Sequence, residues 1–143
     1  MKYHFKIKKE AQGFSASCVE LPGCVTQAND TDELQQNMEE ALNLYLDEPP
    51  DSRTVFPFPD RTIKGRTVVC VSVKPRIAFA FALRMFRRQR KLTQREAAAL
   101  IGIQGALNNY QRLESSKTAN PELETLVKIK RAFPDFPLDS IAE

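Results

Sequence analysis

Three cysteines and a single histidine are the residues of the first half that most readily do chemistry. Cys18, Cys24 and Cys70 have spacings that fit no zinc pattern, and His4 is the only histidine in the chain. A Cys24 nucleophile would need His4 within hydrogen-bond reach and a third group to orient the imidazole. The sequence supplies no such group, so we interpret Cys24 as a small packing residue. Three cysteines cannot all pair with one another, which indicates free thiols in a reducing cytoplasm. The alternative is a strained disulfide between Cys18 and Cys24.

Several carboxylates of the first half are the other candidates for catalysis, because a two-metal nuclease needs converging acids. Ligands on one strand must share a face and therefore have even spacing, which these residues lack. A turn and a helix start account for their positions instead. We therefore expect no catalytic residue, no metal, no cofactor and no enzyme activity. The acids considered are Glu10, Glu20, Asp30, Asp32 and Glu33.

Charge is distributed unevenly along the 143 residues, although the net charge is only +3. Residues 1–60 contain 5 Lys and Arg against 11 Asp and Glu, whereas residues 61–143 contain 16 against 7. An acidic first half and a basic second half predict two units with different partners. The basic half favours a polyanion. The acidic half suits a basic partner, or is simply a solvated surface.

Alternating and helical patterns predict an α+β protein with two domains, residues 1–74 and 75–143. The first is a small antiparallel sheet with one packed helix, and a Pro-rich loop (49–66) precedes its last strand. The second is all helical, with a tail that packs in part. Predicted strands cover 2–8, 14–19, 25–28 and 67–73, and predicted helices cover 31–47, 77–90, 93–100, 104–114 and 122–133.

The second half contains a pattern typical of a helix-turn-helix. Thr93 and Glu96 form a capping box, Ala97 and Ala98 allow close packing, and Gly102 suits a tight turn. The third helix would then enter the major groove, while Arg87, Arg88, Arg90, Lys91 and Arg95 contact phosphates. The alternative is a plain helical unit with a solvated charged face. The predicted DNA-binding residues are Thr93, Gln94, Arg95, Gln104, Asn108, Asn109, Gln111 and Arg112.

This segment resembles the Xre/Cro type of helix-turn-helix domain over about 55 residues. The resemblance rests on residues 92–94, Ala98, Gly102, Glu114 and residues 120–133. The interval from Gly102 to Glu114 is about two residues longer than is usual in that family. Residues 104–107 therefore either loop out or lengthen the third helix, and each alternative presents different side chains to the bases.

Residues 2–48 resemble the HicB antitoxin domain, through Tyr3, residues 13–16 and 21–28, Asn37 and residues 40–48. The resemblance implies a degraded ribonuclease-H-like fold that binds and neutralises a HicA-like ribonuclease toxin. It also implies repression of the protein's own operon through operator DNA, and a homodimer or homotetramer. The residues that contact the toxin cannot be named from it. A stand-alone repressor with a ligand-binding or oligomerisation domain is the alternative, and a nuclease is a third interpretation.

The segment 77–86 is apolar on all sides, which predicts burial on more than one side. We expect it to form the core of the second domain and to offer a dimer contact. No 18-residue apolar stretch occurs, and the first nine residues lack the apolar core of a signal peptide. We therefore expect a cytoplasmic protein with no membrane partner.

Overall fold

The protein is an α+β protein with a four-stranded antiparallel sheet and an all-helical C-terminal region. The computed structural model describes residues 1–49, 51–103, 105 and 107–143. The chain divides into two compact units. The sheet unit comprises Met1–Leu46 and Phe56–Lys74, and the helical unit comprises Asp47–Val55 and Pro75–Ala142. No helix in the described part of the chain is long and apolar enough to cross a membrane.

The sheet unit has four strands in the order β3-β2-β1-β4, with one helix packed on one face. Every neighbouring pair is antiparallel. Phe5 lies opposite Cys18 and Ile7 opposite Ala16, so these side chains share the face beneath the helix. The elements are β1 (Lys2–Lys9), β2 (Phe14–Cys18), β3 (Val25–Ala28), α1 (Thr31–Leu46) and β4 (Val68–Ser72).

Helix α1 begins at a side-chain cap and covers the sheet with an apolar stripe. The Asp30 carboxylate accepts a hydrogen bond from the Glu33 backbone N–H (2.8 Å), and the Glu33 carboxylate accepts one from the Asn29 N–H (3.0 Å). The stripe side chains are fully buried because the helical period returns them to one face. They are Leu34, Met38, Leu42 and Leu46.

The helical unit contains five helices among the described residues. Helix α2 forms its centre, because every residue from 78 to 86 is buried. Phe79 and Phe86 stack edge-on against Phe136, with ring centroids 5.8 and 5.3 Å apart. The helices are α2 (Pro75–Gln89), α3 (Gln94–Ile101), α4 (Leu107–Leu113), α5 (Leu123–Ala132) and α6 (Leu138–Ala142).

Helices α3 and α4 are joined by a turn whose chemistry the sequence predicts. Thr93 Oγ1 accepts a hydrogen bond from the Glu96 N–H, and the Glu96 carboxylate accepts one from the Thr93 N–H. Gly102 ends α3 with φ 82°, in the left-handed region that favours glycine. Helix α4 begins only at Leu107, and Gly105 has φ 98°, so residue 105 is not helical.

One expectation about elements differs from the structure. The third helix of the second half, predicted from residue 104, is shorter, because a residue at the φ of Gly105 cannot be helical. The tail packs in part, as predicted, since Phe136 is buried, and it contains the short helix α6 after Pro137. Proline suits a helix start because its missing N–H would have no intrahelical partner there.

Candidate functional site

A buried carboxylate, Glu114, holds α2, α3 and α4 together beneath the predicted DNA-binding face. Arg87 donates from Nε (2.6 Å) and Nη2 (3.1 Å) to its two oxygens, in bidentate geometry. Tyr110 donates its hydroxyl to Glu114 Oε1 (2.5 Å), and Gln94 donates its amide to Oε2 (2.9 Å). The Glu114 side chain is 2% exposed, so these four bonds replace its hydration.

The charges of this network shift the pKa values of its members. Burial and then the Glu114 carboxylate raise the pKa of Tyr110 far above its usual value of 10. Burial opposes the charge on Arg87, but hydrogen bonds to Glu114 and the attraction of its charge outweigh burial and raise the Arg87 pKa. The network therefore keeps a neutral phenol beside a charged guanidinium.

Arg87 and Arg88, expected to contact phosphates, have internal partners in the structure. Arg87 is bound to Glu114 as above. Arg88 Nη1 donates to Glu48 Oε2 (2.9 Å) and to the Thr54 carbonyl (2.8 Å), and its side chain is 6% exposed. Their charges are neutralised inside the helical unit. Charge patterns in the sequence do not reveal this because Glu48 is 40 residues from Arg88.

The predicted base-reading residues of α4 lie mostly on its exposed side. Arg112 and Asn108 are exposed, and neither side chain forms a hydrogen bond or an ion pair within the described residues. Asn109 is also exposed and lies close to Gly105. Asn109 and Arg112 line one open groove of about 480 Å³ together with Lys128 of α5. Three of the predicted readers are thus presented to solvent on α4.

Two of the predicted readers bind each other instead of facing solvent freely. Gln111 donates its amide to Gln94 Oε1 (3.1 Å), while Gln94 donates to Glu114. Gln94 is half-buried, and these bonds fix the distance between the start of α3 and the middle of α4. Gln104, another predicted reader, lies outside the described residues.

A second open groove of about 650 Å³ lies beside the N-terminus of α3. Its lining includes Thr93, the exposed cations Arg53 and Lys91, and one exposed acid, Asp51. Arg95, the second residue of α3, is also exposed. Backbone N–H groups at a helix N-terminus attract anions, and neighbouring cations add to that attraction. This part of the helical unit has the chemistry of a phosphate-binding surface.

In the sheet unit, the face opposite α1 forms an open groove of about 910 Å³. The register places Lys6 opposite Ser17 and Lys8 opposite Ser15, so cations and small hydroxyls share this face. Val25 is 62% exposed beside them. The exposed side of α1 is acidic by contrast, and therefore the sheet unit is basic on one side and acidic on the other. The exposed acids of α1 are Asp32, Glu39 and Glu40.

Glu20 orients His4, a role that sequence reasoning missed. Its Oε2 lies 2.8 Å from His4 Nδ1, and its Oε1 accepts the His4 backbone N–H (3.0 Å). The Asp60 N–H also donates to Oε2 (3.2 Å), and the Cys18 thiol lies 3.8 Å from Oε1. His4 and Asp60 are 16 and 40 residues from Glu20 along the chain, and only folding brings them together. The spacing of residues in the sequence therefore does not reveal these contacts.

Cys18 and Cys24 are neighbouring buried thiols with no disulfide between them. The Cys18 backbone N–H donates to the Cys24 carbonyl (2.8 Å). A hydrogen bond from the Cys18 thiol lowers the Cys24 pKa, although burial opposes the shift. The same bond, and then burial, raises the Cys18 pKa. Cys70 is exposed.

Four of the five carboxylates considered for metal binding have other contacts. Asp30 and Glu33 accept backbone N–H groups at the start of α1, Glu10 accepts a hydrogen bond from Ser15 (2.8 Å), and Glu20 is bound to His4 as above. Within the part of the chain that the structure describes, no group of three His, Cys, Asp or Glu could hold a metal ion.

Comparison with known proteins places the chain in a family. A UPF0150 protein of Archaeoglobus fulgidus is 44% identical over 48 residues, which cover 33% of this chain and 70% of that protein. No family model matches the chain. The similarity to that relative shows that the chain belongs to the UPF0150 family. The chain is an α+β protein with a four-stranded sheet and a helical C-terminal region.

Proposed function

We propose that this protein is an antitoxin that binds a HicA-like ribonuclease toxin and represses its own operon. One observation carries the proposal: a unit from a HicB-like family precedes a capped α3, a glycine turn and an exposed α4 on the same chain. The HicB-like unit favours a toxin partner, and the arrangement of α3, the glycine turn and α4 favours operator DNA. We propose no enzyme activity and no cofactor for the chain, and a cytoplasmic location.

The acidic side of α1 is the surface that suits a basic toxin. A ribonuclease must attract RNA, so its RNA-binding surface is basic. Glu39 and Glu40 are exposed on α1, whereas the opposite face of the sheet presents Lys6 and Lys8. Opposite potentials speed association and exclude wrong partners. The toxin would therefore lie against α1 and away from the lysine-bearing groove.

Toxin binding is tested by co-expression with the adjacent small reading frame, followed by affinity purification. We expect a small basic protein, toxic when expressed alone, to co-purify with the wild-type chain. Glu39→Lys with Glu40→Lys should weaken its capture and restore toxicity, because like charges then meet. Lys6→Glu with Lys8→Glu is the matched control and should leave capture unchanged. Equal loss in both variants would contradict the assignment to α1.

The helical unit is proposed to bind operator DNA with α4 in the major groove. Arg112, Asn108 and Asn109 are exposed on α4, and these residue types make bidentate contacts with guanine or adenine. Thr93, Arg95 and Lys91 supply phosphate contacts near the N-terminus of α3. Gln94 and Gln111 position α4 through their mutual hydrogen bond. Gln104 is proposed as a base-contacting residue on the sequence pattern alone.

Operator binding is tested with DNA from the promoter of the protein's own operon. We expect Arg112→Ala to weaken specific binding by about 10- to 100-fold without affecting toxin capture. Lys91→Ala should instead weaken binding to all sequences and reduce the salt slope by about 1. Lys2→Ala, an exposed cation of the sheet unit, is the control. Unchanged affinity of the Arg112 variant would count against α4 as the recognition helix.

A stand-alone repressor is the second candidate, because the groove on the sheet unit could hold a ligand. Its lining of lysines and serines suits an anionic compound. If no toxin co-purifies while operator binding persists, this alternative replaces the first. Lys6→Ala should then abolish the response of operator binding to that ligand, whereas the antitoxin proposal predicts no such response.

A further inference from the structure

Cys18 and Cys24 face each other at the end of the β2–β3 ladder. Ser17 lies opposite Val25, and the Cys18 N–H donates to the Cys24 carbonyl (2.8 Å), so the ladder continues for one further pair. Opposite residues point to the same face of a sheet, and their Cα atoms are about 5.5 Å apart where the pair is hydrogen-bonded. A disulfide most often joins Cα atoms that are about 5.5–6 Å apart. The backbone therefore sets the two cysteines at the separation that a disulfide requires.

Both thiols are buried beside a short turn that reaches solvent. Cys18 is 6% exposed and Cys24 is 3% exposed. Val19, Pro22 and Gly23 between them are exposed. Short turns with exposed residues open more readily than the strands they join, so local opening admits an oxidant as small as hydrogen peroxide. Burial therefore slows oxidation of the pair without preventing it.

The two sulfurs are chemically unequal because one donates a hydrogen bond to the other. The bond from the Cys18 thiol lowers the Cys24 pKa, and the same bond raises the Cys18 pKa. The thiolate form is the nucleophile in cysteine chemistry. Cys24 is therefore the sulfur that attacks an oxidant, and Cys18 is the neighbouring thiol that completes the reaction.

We propose that Cys18 and Cys24 form a reversible disulfide when a peroxide oxidises the protein. The Cys24 thiolate attacks one oxygen of hydrogen peroxide, which breaks the O–O bond and leaves a sulfenic acid on Cys24. The hydroxide released takes up the proton that Cys24 had lost. The Cys18 sulfur then displaces the sulfenic oxygen, which leaves as water with the Cys18 proton while the S–S bond forms. Two thiols and one peroxide thus give one disulfide and two waters, and each sulfur loses one electron to the peroxide.

The disulfide would close the turn between β2 and β3 into a ring. Glu20, which holds His4, belongs to this turn and lies 3.8 Å from the Cys18 thiol. Pro22 of the same turn accepts the Tyr45 hydroxyl of α1 at its carbonyl (2.7 Å). Oxidation would therefore restrain the turn that connects Glu20 with α1. The proposal concerns the thiols of the chain alone, so its test does not depend on the toxin or on operator DNA.

Peroxide treatment of the folded full chain, followed by alkylation, trypsin digestion and mass spectrometry, tests the proposal. No Lys or Arg occurs between Lys9 and Arg53, so one tryptic peptide contains both thiols and no third cysteine. This peptide should become about 2 Da lighter than its two-thiol form and carry no alkyl group, and dithiothreitol should reverse the change. Hydrogen exchange in residues 19–24 should slow by about 10-fold or more, because ring closure limits opening.

Cys70→Ser is the matched control, because Cys70 is exposed on β4, and this variant should form the disulfide as the wild type does. Cys18→Ser should leave a sulfenic acid on Cys24 that dimedone traps, since the serine hydroxyl can still donate to Cys24. Cys24→Ser should react with peroxide about 10-fold more slowly than Cys18→Ser, because the remaining thiol is the poorer nucleophile. Circular dichroism checks that each variant keeps its fold.

The peptide with both thiols decides the outcome even if a serine variant fails to fold. An unchanged mass of that peptide in the folded wild type would overturn the proposal, as would a disulfide that forms only in urea. Loss of the disulfide in the Cys70 variant would overturn it as well, because the pair would then need a third thiol. Equal peroxide rates in the Cys18 and Cys24 variants would contradict the assignment of the attacking sulfur to Cys24.

Discussion

Both units contain a glutamate with an almost fully buried side chain, Glu114 in the helical unit and Glu20 in the sheet unit, and the two differ in what surrounds the carboxylate. Glu114 of the helical unit is 2% exposed and faces the permanent cation Arg87, together with Tyr110 and Gln94. Glu20 of the sheet unit is 4% exposed and faces His4, two backbone N–H groups and a thiol. The first is a buried ion pair, whereas the second is a carboxylate held largely by neutral donors.

The difference predicts how each unit responds to loss of its carboxylate charge. Arg87 cannot lose its proton, so it would remain charged and without a counter-ion. His4 can exchange the donor and acceptor roles of its ring nitrogens by changing tautomer, and backbone N–H groups carry no net charge. The helical unit should therefore depend on its glutamate charge more strongly than the sheet unit does.

Glu114→Gln should have the largest effect. The amide has nearly the same shape, but its NH₂ group would face donors from Arg87, Tyr110 or Gln94. Breaking a buried pair at one partner costs about 3–5 kcal/mol, a large share of a typical domain's stability. Urea unfolding followed by circular dichroism measures the loss.

The control for this change is Glu122→Gln, because Glu122 is exposed in the same unit. This substitution should change the free energy of unfolding by no more than about 0.5 kcal/mol. Replacing both partners, as in Arg87→Met with Glu114→Leu, should destabilise less than the single change. If Glu114→Gln costs less than about 1 kcal/mol, the ion pair does not hold the three helices together.

Glu20→Gln should have a smaller effect, about 1–3 kcal/mol, since one oxygen still accepts and His4 can accept from the new amide. Hydrogen exchange measured by mass spectrometry should show faster exchange in β1 and around Asp60, while α2 to α4 stay protected. Glu10→Gln, at an exposed turn of the same unit, is the matched control. A loss equal to that of Glu114→Gln would erase the distinction between the two glutamates.

Local elements could be predicted from the sequence, but the two glutamate networks could not. Alternation identified β1, and the Thr93–Glu96 box identified the start of α3, because these signals are local in the sequence. Glu20 and Glu114 gather partners 16 to 40 residues away, which only folding brings together. Arg87 and Arg88 therefore looked like free phosphate-binding cations although both are paired.

Tyr110→Phe sharpens the comparison at alkaline pH. Because the folded pKa of Tyr110 is raised, the fold favours the neutral phenol, and its contribution is complete below the unfolded pKa of about 10. As pH rises above 10, that contribution is lost at about 1.4 kcal/mol per pH unit. Burial raises the pKa of Tyr3 in the sheet unit as well.

The Phe variant should therefore lose about 1 kcal/mol at neutral pH through its missing hydrogen bond, and should fall less steeply than wild type between about pH 10 and 11. Urea unfolding at both pH values measures the two slopes. Tyr3→Phe should make the fall less steep in the same way, because burial also raises the pKa of Tyr3. An unchanged alkaline slope in the Tyr110 variant would show that its hydroxyl titrates normally in the folded state.

The smallest effect is expected at the starts of α1 and α3, where a side chain accepts a hydrogen bond from a first-turn N–H. Thr93→Ala and Asp30→Ala each remove one acceptor from a first-turn N–H and should cost about 1 kcal/mol. Thr93 stands beside Gln94, so its loss should also let the Gln94–Glu114 bond fray and speed exchange at the start of α3. Asp30 has no such link to Glu20. Equal losses of stability in the two variants, with no faster hydrogen exchange in α3, would show that Thr93 does not support the Gln94–Glu114 hydrogen bond.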